Sequence, residues 1–386
     1  MIPRPHAMKA VQSALANNPV CILLGPRQCG KTTLARELAK RRRSHYFDLE
    51  TAVGRARLAD PELTLAPLAG LVVIDEIQRR PELFAALRPL ADRARSRARF
   101  LILGSASPDL VRGASESLAG RVGFVDLGPL DLGEVGPRKA KTLWRRGGFP
   151  RSFLARTETL SFGWRQDFIR TFLERDIPQL GVRTPAETLR RFWLMIAHYH
   201  AQIWNGAELA RALGTSEHTV RGYLDLLTGT FLLRQLPPWF ENLGKRQYKA
   251  PKVYVRDSGL LHALLSVQSQ GDLEGHPKYG ASWEGFALEQ VLSVTGAVQA
   301  FYWGTHAGAE LDLLLIRRGR RYGIEFKTSS APEMTKSLHI ALADLKLERA
   351  WIVYPGSETY AVHERVETVP LDKITNVLGR LAKRGQ

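Results

Sequence analysis

Residues 25–32 read Gly25-Pro26-Arg27-Gln28-Cys29-Gly30-Lys31-Thr32, a complete G-x-x-x-x-G-K-[ST] phosphate-binding loop. An apolar run at 20–24 precedes the loop, and a helix-favouring stretch at 33–40 follows it. The two glycines let the backbone wrap around a phosphate, with its N–H groups at the positive end of the next helix. The pattern predicts a strand, loop and helix that bind a nucleotide through Gly25, Pro26, Arg27, Gln28, Cys29, Gly30, Lys31, Thr32 and Thr33.

A second apolar run ends in two carboxylates. Residues 71–74 precede Asp75 and Glu76, the form of a buried parallel strand whose carboxyl end meets a nucleotide. We expect Asp75 and the Thr32 hydroxyl to hold Mg²⁺, and we expect Lys31 to reach the β- and γ-phosphates. Glu76 would polarise the attacking water. These parts predict an ATPase, with ATP as the substrate and Mg²⁺ as the cofactor.

Two further catalytic candidates follow along the chain. Ser105 ends a third apolar run, and we expect it to contact the γ-phosphate or the water. Arg121 is a candidate to stabilise the transferred charge, in its own chain or in a neighbouring subunit. Surface arginines are abundant in this sequence, so an ordinary surface role for Arg121 stays equally open.

Six short motifs together indicate a family. They are GPRQxGKTTL at 25–34, FDLE at 47–50, IDEIQ at 74–78, GSAS at 104–107, SLAGR at 117–121 and GGFP at 147–150. This set resembles the prokaryotic AAA-type ATPases that carry a C-terminal domain of unknown function 4143. The resemblance covers nearly the whole chain. It implies an ATPase core, a helical and winged-helix middle and a restriction-endonuclease-like end, but no substrate.

The expected fold class is a multidomain α/β protein, since 386 residues are too many for one core. The prediction places a P-loop NTPase (AAA-like) domain at 1–125, a helical connector at 126–190, a winged helix at 191–265 and a PD-(D/E)XK-like α/β domain at 280–386. Within the connector, an amphipathic stretch from 159 to 173 is expected to end before the proline at 178. AAA-type enzymes commonly form rings, so a homo-oligomer is a further expectation.

The composition bears on the cell compartment. The sequence contains no apolar run long enough to span a membrane, and its first residues lack the apolar core of a signal peptide. We therefore expect a cytoplasmic protein with no membrane partner. The two cysteines, Cys21 and Cys29, provide neither a disulfide framework nor a cysteine zinc site.

The charge balance is strongly basic. Lys and Arg number 55 against 38 Asp and Glu, which gives a net charge of +17. Such an excess favours a polyanionic partner, because each neutralised phosphate releases counterions. DNA is the expected partner, although a high-GC genome and simple solubility also explain an arginine-rich composition.

A helix-turn-helix pattern occupies the middle of the chain. We predict helices at 206–213 and 217–227, the second capped by Ser216, then a strand at 231–236 and a hairpin at 240–255. A winged helix of this kind would present Thr219 and Arg221 on its second helix and a basic wing on DNA phosphates. The DNA-binding candidates are Thr219, Arg221, Lys245, Arg246 and Lys249. Winged helices also serve as protein–protein or inter-domain modules, and that alternative stays open.

The C-terminal part carries a second set of acidic residues. A two-residue turn at 318–319 would pair two strands and place Asp312 opposite Glu325, on the same face as Lys327. Two opposed carboxylates repel, so we expect a divalent cation between them, with Lys327 orienting or activating water. This D…ExK arrangement resembles the PD-(D/E)XK nucleases and implies Glu284, on a predicted helix at 283–292, as a further metal ligand. No proline precedes Asp312, which departs from that pattern.

Two classes of function follow from these expectations. The first is an ATPase that couples hydrolysis to the binding or remodelling of DNA, including branched or repair-intermediate DNA, with nuclease activity possible in its C-terminal domain. The second is a nucleotide-dependent regulatory or defence switch whose C-terminal domain binds a protein partner without catalysis. The basic charge and the D…ExK set favour the first class.

Overall fold

The computed structural model describes residues 2–93, 98–105, 108–182, 184–240, 247–296 and 299–383. The chain divides into two units. The first comprises Met1–Leu130 and Gly229–Leu232, and the second comprises Asp131–Thr228 and Leu233–Gln386. The finer division of the second unit into a connector, a winged helix and a C-terminal domain stays a prediction.

The first unit is built on a five-stranded sheet. Its strands are β1 (Val20–Gly25), β2 (Ser44–Asp48), β3 (Gly70–Asp75), β4 (Ala98–Ser105) and β5 (Val122–Asp126). Their order is β2-β3-β4-β1-β5, and all neighbours are parallel. The three predicted apolar runs are β3, β4 and β1 at the centre of the sheet. They lack polar alternation because both of their faces are buried.

The helices of the first unit cover both faces of this sheet. They are α1 (Pro5–Asn17), α2 (Lys31–Ala39), α3 (Ala52–Arg57), α4 (Pro61–Leu65), α5 (Leu83–Ala91) and α6 (Pro108–Ser117). Alternate residues of β1 enter different cores, since Ile22 packs with Ile74 and Leu23 packs with Leu34. All strands run in one direction, so the loop after β1 and the carboxylates at the end of β3 meet at one edge.

The second unit begins with helices. They are α7 (Leu132–Val135), α8 (Ala140–Arg146), α9 (Pro150–Phe153), α10 (Glu158–Thr171), α11 (Ile177–Gln179) and α12 (Ala186–His198). A π-helical turn, Phe172–Asp176, joins α10 to α11. The proline at 178 therefore does not end the helical segment at 173 as expected. It occupies an early position of α11, where its missing N–H is tolerated.

A small antiparallel sheet and a helix pair follow. The elements are β6 (Gln202–Ile203), α13 (Gly206–Leu213), α14 (Glu217–Gly229), β7 (Leu233–Leu236) and β8 (Lys252–Val255), and the strand order is β6-β8-β7. The two helices occur where the sequence predicts them. The strand predicted at the end of the hairpin is β8, which pairs with β7 and with β6; residues 241–246, on which the first strand of the predicted hairpin falls, lie outside the described residues.

The C-terminal part of the second unit contains a six-stranded sheet of order β13-β14-β12-β11-β10-β9. Its helices are α15 (Ser258–Leu264), α16 (Gln270–Glu274), α17 (Tyr279–Thr295), α18 (Lys336–Asp344) and α19 (Ile374–Lys383). Its strands are β9 (Gln299–Gly304), β10 (Glu310–Arg317), β11 (Arg320–Phe326), β12 (Arg349–Tyr354), β13 (Tyr360–His363) and β14 (Val366–Pro370). The turn predicted at 318–319 is present, with Arg318 at φ 51° and Gly319 at φ 75°. Within the described residues, no helix is both long and apolar enough to cross a membrane.

Candidate nucleotide site and carboxylate cluster

The phosphate-binding loop is closed around the buried side chain of Lys31. Its Nζ donates hydrogen bonds to the carbonyl oxygens of Gly25 and Pro26, both at 2.9 Å. Within the loop, two residues turn the backbone in left-handed conformations: Gln28 at φ 61° and Gly30 at φ 106°. Only these left-handed conformations allow so tight a loop, which explains the glycine at position 30. The loop then leads directly into the N-terminus of α2.

The sequence reasoning missed Arg4 as a support of this loop. The Arg4 guanidinium donates to the carbonyl oxygens of Cys29 at 3.0 Å and Pro129 at 3.1 Å. The Cys29 thiol is buried and donates to the carbonyl oxygen of Leu127 at 3.3 Å. An N-terminal residue and the segment after β5 therefore hold the loop from behind. Nothing in the local sequence around Arg4 signals this contact.

Asp75 lies at the end of β3 and joins the loop to the sheet. Its Oδ2 accepts hydrogen bonds from the Thr32 hydroxyl at 2.9 Å and from the Tyr46 hydroxyl at 2.5 Å. Burial and the neighbouring Asp75 raise the pKa of Tyr46, so this phenol stays a hydrogen-bond donor. Tyr46 is a second residue that the sequence reasoning missed. Thr32 and Asp75, the two expected Mg²⁺ ligands, are brought together.

Glu76 follows in a left-handed conformation, with φ 60°. Burial raises the pKa of Glu76, and the nearby positive charge of Lys31 opposes that shift. The amide of Gln78 donates to the Glu76 carboxylate, and the Gln78 Oε1 accepts from the backbone N–H of Ser105 at 3.3 Å. The Ser105 hydroxyl is buried and has no hydrogen-bond partner among the described residues. Gln78, which the sequence reasoning passed over, thus links Glu76 to Ser105.

Arg121 lies away from this group. It immediately precedes β5, whose first residue Val122 is paired with Val20 at the start of β1. The loop follows the opposite end of β1. The Arg121 guanidinium forms an ion pair with Asp92 and donates to the Ala119 carbonyl oxygen at 2.7 Å. Arg121 therefore lies at the opposite end of β1 from its own loop, and both action in a neighbouring subunit and an ordinary surface role stay open.

In the second unit, Lys252 on β8 enters the acidic group formed by α17 and β10. Its Nζ lies 3.3 Å from Glu284 Oε1 and 3.6 Å from Asp312 Oδ1, and it also contacts Glu310. The Tyr254 hydroxyl donates to the same Glu284 oxygen at 2.7 Å. Lys252 is 4% exposed, so its charge is compensated by these carboxylates rather than by water. We call Lys252, Glu284, Glu310, Asp312, Glu325 and Lys327 the carboxylate cluster.

Glu325 on β11 and Lys327, the residue that directly follows β11, complete the cluster. The β10–β11 pairing extends to Leu313 opposite Ile324, and Asp312 and Glu325 are the next residues of the two strands. Asp312 Oδ2 accepts from the backbone N–H of Phe326 at 2.9 Å, and Lys327 Nζ lies 2.8 Å from Glu325 Oε1. Burial and Asp312 raise the pKa of Glu325, and burial also raises that of Glu284.

These residues do not fit the divalent cation expected from the sequence. Lys252 already lies between Glu284 and Asp312, where a shared cation would lie. Across the described ranges, no group of three or more His, Cys, Asp or Glu side chains is arranged to hold a metal ion. The juxtaposition of Glu284, Asp312 and Glu325 that the sequence predicts is present, but a lysine side chain supplies the positive charge.

Of the five DNA-binding candidates, three lie within the described residues, and two of these three are engaged in contacts with neighbouring side chains. Arg221 on α14 forms an ion pair with Asp225 at 3.3 Å, and Thr219 is engaged with the capping Ser216 through its backbone and its hydroxyl. Lys249 is exposed. Lys245 and Arg246 lie outside the described residues. The exposed face of α14 therefore carries acidic as well as basic side chains.

Trp239, just before the wing expected at 240–255, and two residues within it, Gln247 and Tyr248, contact β9. Trp239 donates its backbone N–H to the Tyr302 carbonyl oxygen at 2.7 Å, and Tyr248 donates to that of Gly304 at 3.2 Å. Trp303 Nε1 donates to Gln247 Oε1 at 3.0 Å. These three residues lie along β9, the edge strand of the six-stranded sheet, and so protect part of an otherwise unpaired edge.

The first unit has the defining parts of a P-loop NTPase: a parallel sheet, a G-x-x-x-x-G-K-T loop between β1 and α2, and an aspartate at the end of β3. Comparison with known families finds an AAA domain at 17–136, a domain of unknown function (DUF8612) at 137–271 and a domain of unknown function (DUF4143) at 279–374. The chain belongs to the family that combines this AAA domain with the C-terminal DUF4143 domain, which confirms the resemblance.

Relatives extend over nearly the whole chain. Uncharacterized proteins of Mycobacterium tuberculosis and Mycobacterium bovis are each 52% identical over 374 residues, covering 97% of this chain and 85% of each relative. Among solved structures, the Walker-type ATPase PABY2304 of Pyrococcus abyssi is 16% identical, with a TM-score of 0.46 over 69% of this chain and 96% of that one. The Bacillus subtilis DNA clamp loader delta protein is 13% identical, with a TM-score of 0.28 over 56% of this chain and 86% of that one. Likeness at this level identifies neither a substrate nor a partner.

Proposed function

We propose that this protein is a Mg²⁺-dependent ATPase whose first unit hydrolyses ATP and whose second unit transmits the result to a bound partner. The observation that carries the proposal is the Thr32–Asp75 hydrogen bond of 2.9 Å beside the buried Lys31. A hydroxyl and a carboxylate at that position suit the oxygen-rich coordination of Mg²⁺. The positive charge of Lys31 within the loop complements the negative charge of a polyphosphate.

Each residue has a distinct role in this proposal. Lys31 exchanges its two carbonyl contacts for phosphate oxygens, while the loop N–H groups bind the same phosphates. Thr32 and Asp75 would hold Mg²⁺, which supplies charge neutralisation on the phosphates when it is bound. Glu76 accepts a hydrogen bond from water and orients it for attack, a role that its raised pKa favours by making the carboxylate a stronger base. Gln78 fixes the orientation of Glu76 and places Ser105 beside it.

The partner that we propose is DNA. The support is the net charge of +17 and the element order α12, β6, α13, α14, β7, β8, which is the order of a winged helix. Hydrolysis in the first unit would change the affinity of the second unit for DNA, or remodel the bound DNA. If Arg121 contributes to catalysis, it does so from one protomer to the next, which would need a homo-oligomer.

Two observations favour a second candidate, a nucleotide-dependent switch whose C-terminal part binds a protein without catalysis. Arg221 is paired with Asp225 on the helix expected to read DNA, and Lys252 engages the carboxylates expected to hold metal. In this second candidate, the first unit keeps its ATPase activity. The partner is a protein rather than DNA, and the C-terminal part cleaves nothing.

The test is ATP turnover with and without single-stranded, duplex and branched DNA, read together with DNA cleavage on the same samples. We compare wild type with Lys31→Ala, and we use Lys40→Ala as a matched control because Lys40 is exposed and paired with Glu37. The proposal expects DNA-stimulated turnover that Lys31→Ala abolishes and Lys40→Ala preserves. It also expects DNA affinity to fall steeply with salt. If no DNA changes the rate of ATP turnover and the protein binds no DNA at low salt, the DNA proposal is refuted and the switch is favoured.

A further inference from the structure

The carboxylate cluster contains a lysine that comes from a different sheet. Lys252 begins β8, in the small β6-β8-β7 sheet, whereas Asp312 and Glu325 belong to the six-stranded sheet. Lys252 and Tyr254 are two residues apart on β8, and both contact Glu284 of α17. One face of β8 is thus directed at the acidic residues of the larger sheet.

Because these charged side chains are buried, the loss of a partner would strongly destabilise the fold. Lys252, Asp312 and Glu325 are 4%, 8% and 5% exposed. An unpaired ammonium at this depth would be strongly destabilising, and so would the unpaired carboxylates. Lys252 approaches Glu284, Glu310 and Asp312, while Lys327 pairs with Glu325. Every charged side chain of the cluster therefore has an oppositely charged neighbour within the chain itself.

We infer that Lys252 takes the place of a divalent cation in the carboxylate cluster. The cluster is then a metal-free network of ion pairs that connects β8 to the six-stranded sheet. The ammonium supplies the positive charge that three carboxylates from two elements, α17 and β10, would otherwise need from a metal. A metal ion at the same point would meet the Lys252 charge at close range and be repelled. The inference does not depend on ATP hydrolysis, because the cluster lies wholly within the second unit.

The protonation of the cluster agrees with this assignment. Four carboxylates face two lysines, so the fully ionised cluster carries two excess negative charges. Burial raises the pKa of Glu284 and that of Glu325, and Glu325 Oε2 has no hydrogen-bond partner among the described residues. Neutral carboxyls at both positions balance the charge without a metal.

The inference predicts what happens when the ammonium is removed. In Lys252→Ala, Glu284, Glu310 and Asp312 lose their shared cation and gain a cavity where it lay. We expect the second unit to melt lower by roughly 5 to 15 °C, and we expect Mn²⁺ to restore part of that loss. We also expect Lys252→Ala to bind Mn²⁺ at least about tenfold more tightly than wild type does. Adding Asp312→Asn to Lys252→Ala should abolish the gain.

The experiment measures Mn²⁺ binding to the nucleotide-free full chain by calorimetry and its effect on the melting temperature. The proteins are wild type, Asp312→Asn, Lys252→Ala, the double variant and Lys249→Ala, an exposed lysine near the cluster in sequence that should behave like wild type. Wild-type Mn²⁺ binding that Asp312→Asn removes would overturn the inference, and so would Asp312-dependent DNA cleavage. A folded Lys252→Ala protein with no gain in Mn²⁺ affinity would overturn it as well. If Lys252→Ala does not fold, the comparison of Mn²⁺ binding between wild type and Asp312→Asn still tests the inference.

Discussion

Thr32 Oγ1 donates a hydrogen bond of 2.9 Å to Asp75 Oδ2, and this contact joins the start of α2 to the end of β3. The two groups come from elements far apart in sequence but adjacent at one edge of the parallel sheet. Tyr46 donates to the same carboxylate oxygen from β2. Three elements therefore converge on one oxygen atom at the point where we place Mg²⁺.

The first prediction concerns the Thr32 hydroxyl. Thr32→Val keeps the shape of the side chain but removes the oxygen, so we expect kcat to fall by about 10²-fold or more and the Mg²⁺ requirement to rise. Thr32→Ser keeps the oxygen and should remain within about threefold of wild type. The measurement is phosphate release over a Mg²⁺ titration. Wild-type turnover by Thr32→Val would contradict a role for the hydroxyl, and an equal loss in both variants would show that the hydroxyl alone is not sufficient.

The second prediction concerns Gln78 as a positioning residue. Gln78→Ala frees the Glu76 carboxylate and the backbone N–H of Ser105. We expect kcat to fall about tenfold while KM for ATP changes little, because in the proposed mechanism the contact orients Glu76, which activates water, and does not hold the substrate. Steady-state kinetics separate the two parameters. An increase in kcat would mean that Gln78 restrains Glu76 instead of aligning it.

The third prediction is a pH dependence of stability in the second unit. Burial would raise the pKa of Glu289, but Arg234 and Arg256 outweigh it and lower that pKa to about 2. A lowered pKa in the folded state means that Glu289 stabilises the fold above its usual pKa of about 4.3 and loses that effect as pH falls towards 2. Glu289→Gln should therefore be less stable than wild type at pH 6, and the gap should narrow by roughly 1 to 3 kcal/mol by pH 3. Denaturant unfolding at both pH values measures the gap, and a gap that widens on acidification would contradict the assignment.

The fourth prediction explains the first glycine of the GGFP motif. Gly147 has φ 75°, and a Cβ there would lie 2.1 Å from Asp257 Oδ1, which belongs to the capping residue of α15. Gly136 has φ 83° but open space around it, so it is a matched control for backbone strain alone. We expect Gly136→Ala to lose about 1 kcal/mol of unfolding free energy and Gly147→Ala to lose about 3 kcal/mol or more. Similar losses in both variants would refute the close approach as the cause.

The sequence predicted features that depend on neighbouring residues. The phosphate-binding loop, the strand that ends at Asp75 and the turn at Arg318 and Gly319 each follow from a short run of residue types with fixed backbone requirements. The family followed from several such runs in order. Local chemistry was sufficient because each of these features is nearly complete within one segment.

The sequence did not predict contacts that depend on tertiary pairing. Arg4 reaches the loop across the first unit, and Lys252 meets Asp312 only because β8 faces the larger sheet. A lysine that opens the apolar run Lys-Val-Tyr-Val at 252–255 was a usable signal, since buried lysines need an acidic partner. The placement of Arg121 at the far edge of the sheet follows from strand direction, which a motif alone does not reveal.

The most direct test of the ATPase assignment is phosphate release and ATP binding measured together for wild type and Glu76→Gln. Glu76→Gln keeps the size of the side chain and its neighbours but removes the base. The account predicts Mg²⁺-dependent turnover by wild type, a loss of about 10²-fold or more in Glu76→Gln, and ATP affinity within about threefold in both proteins. Hydrolysis by Glu76→Gln at the wild-type rate, or no phosphate release by wild type above that of Lys31→Ala, would contradict it.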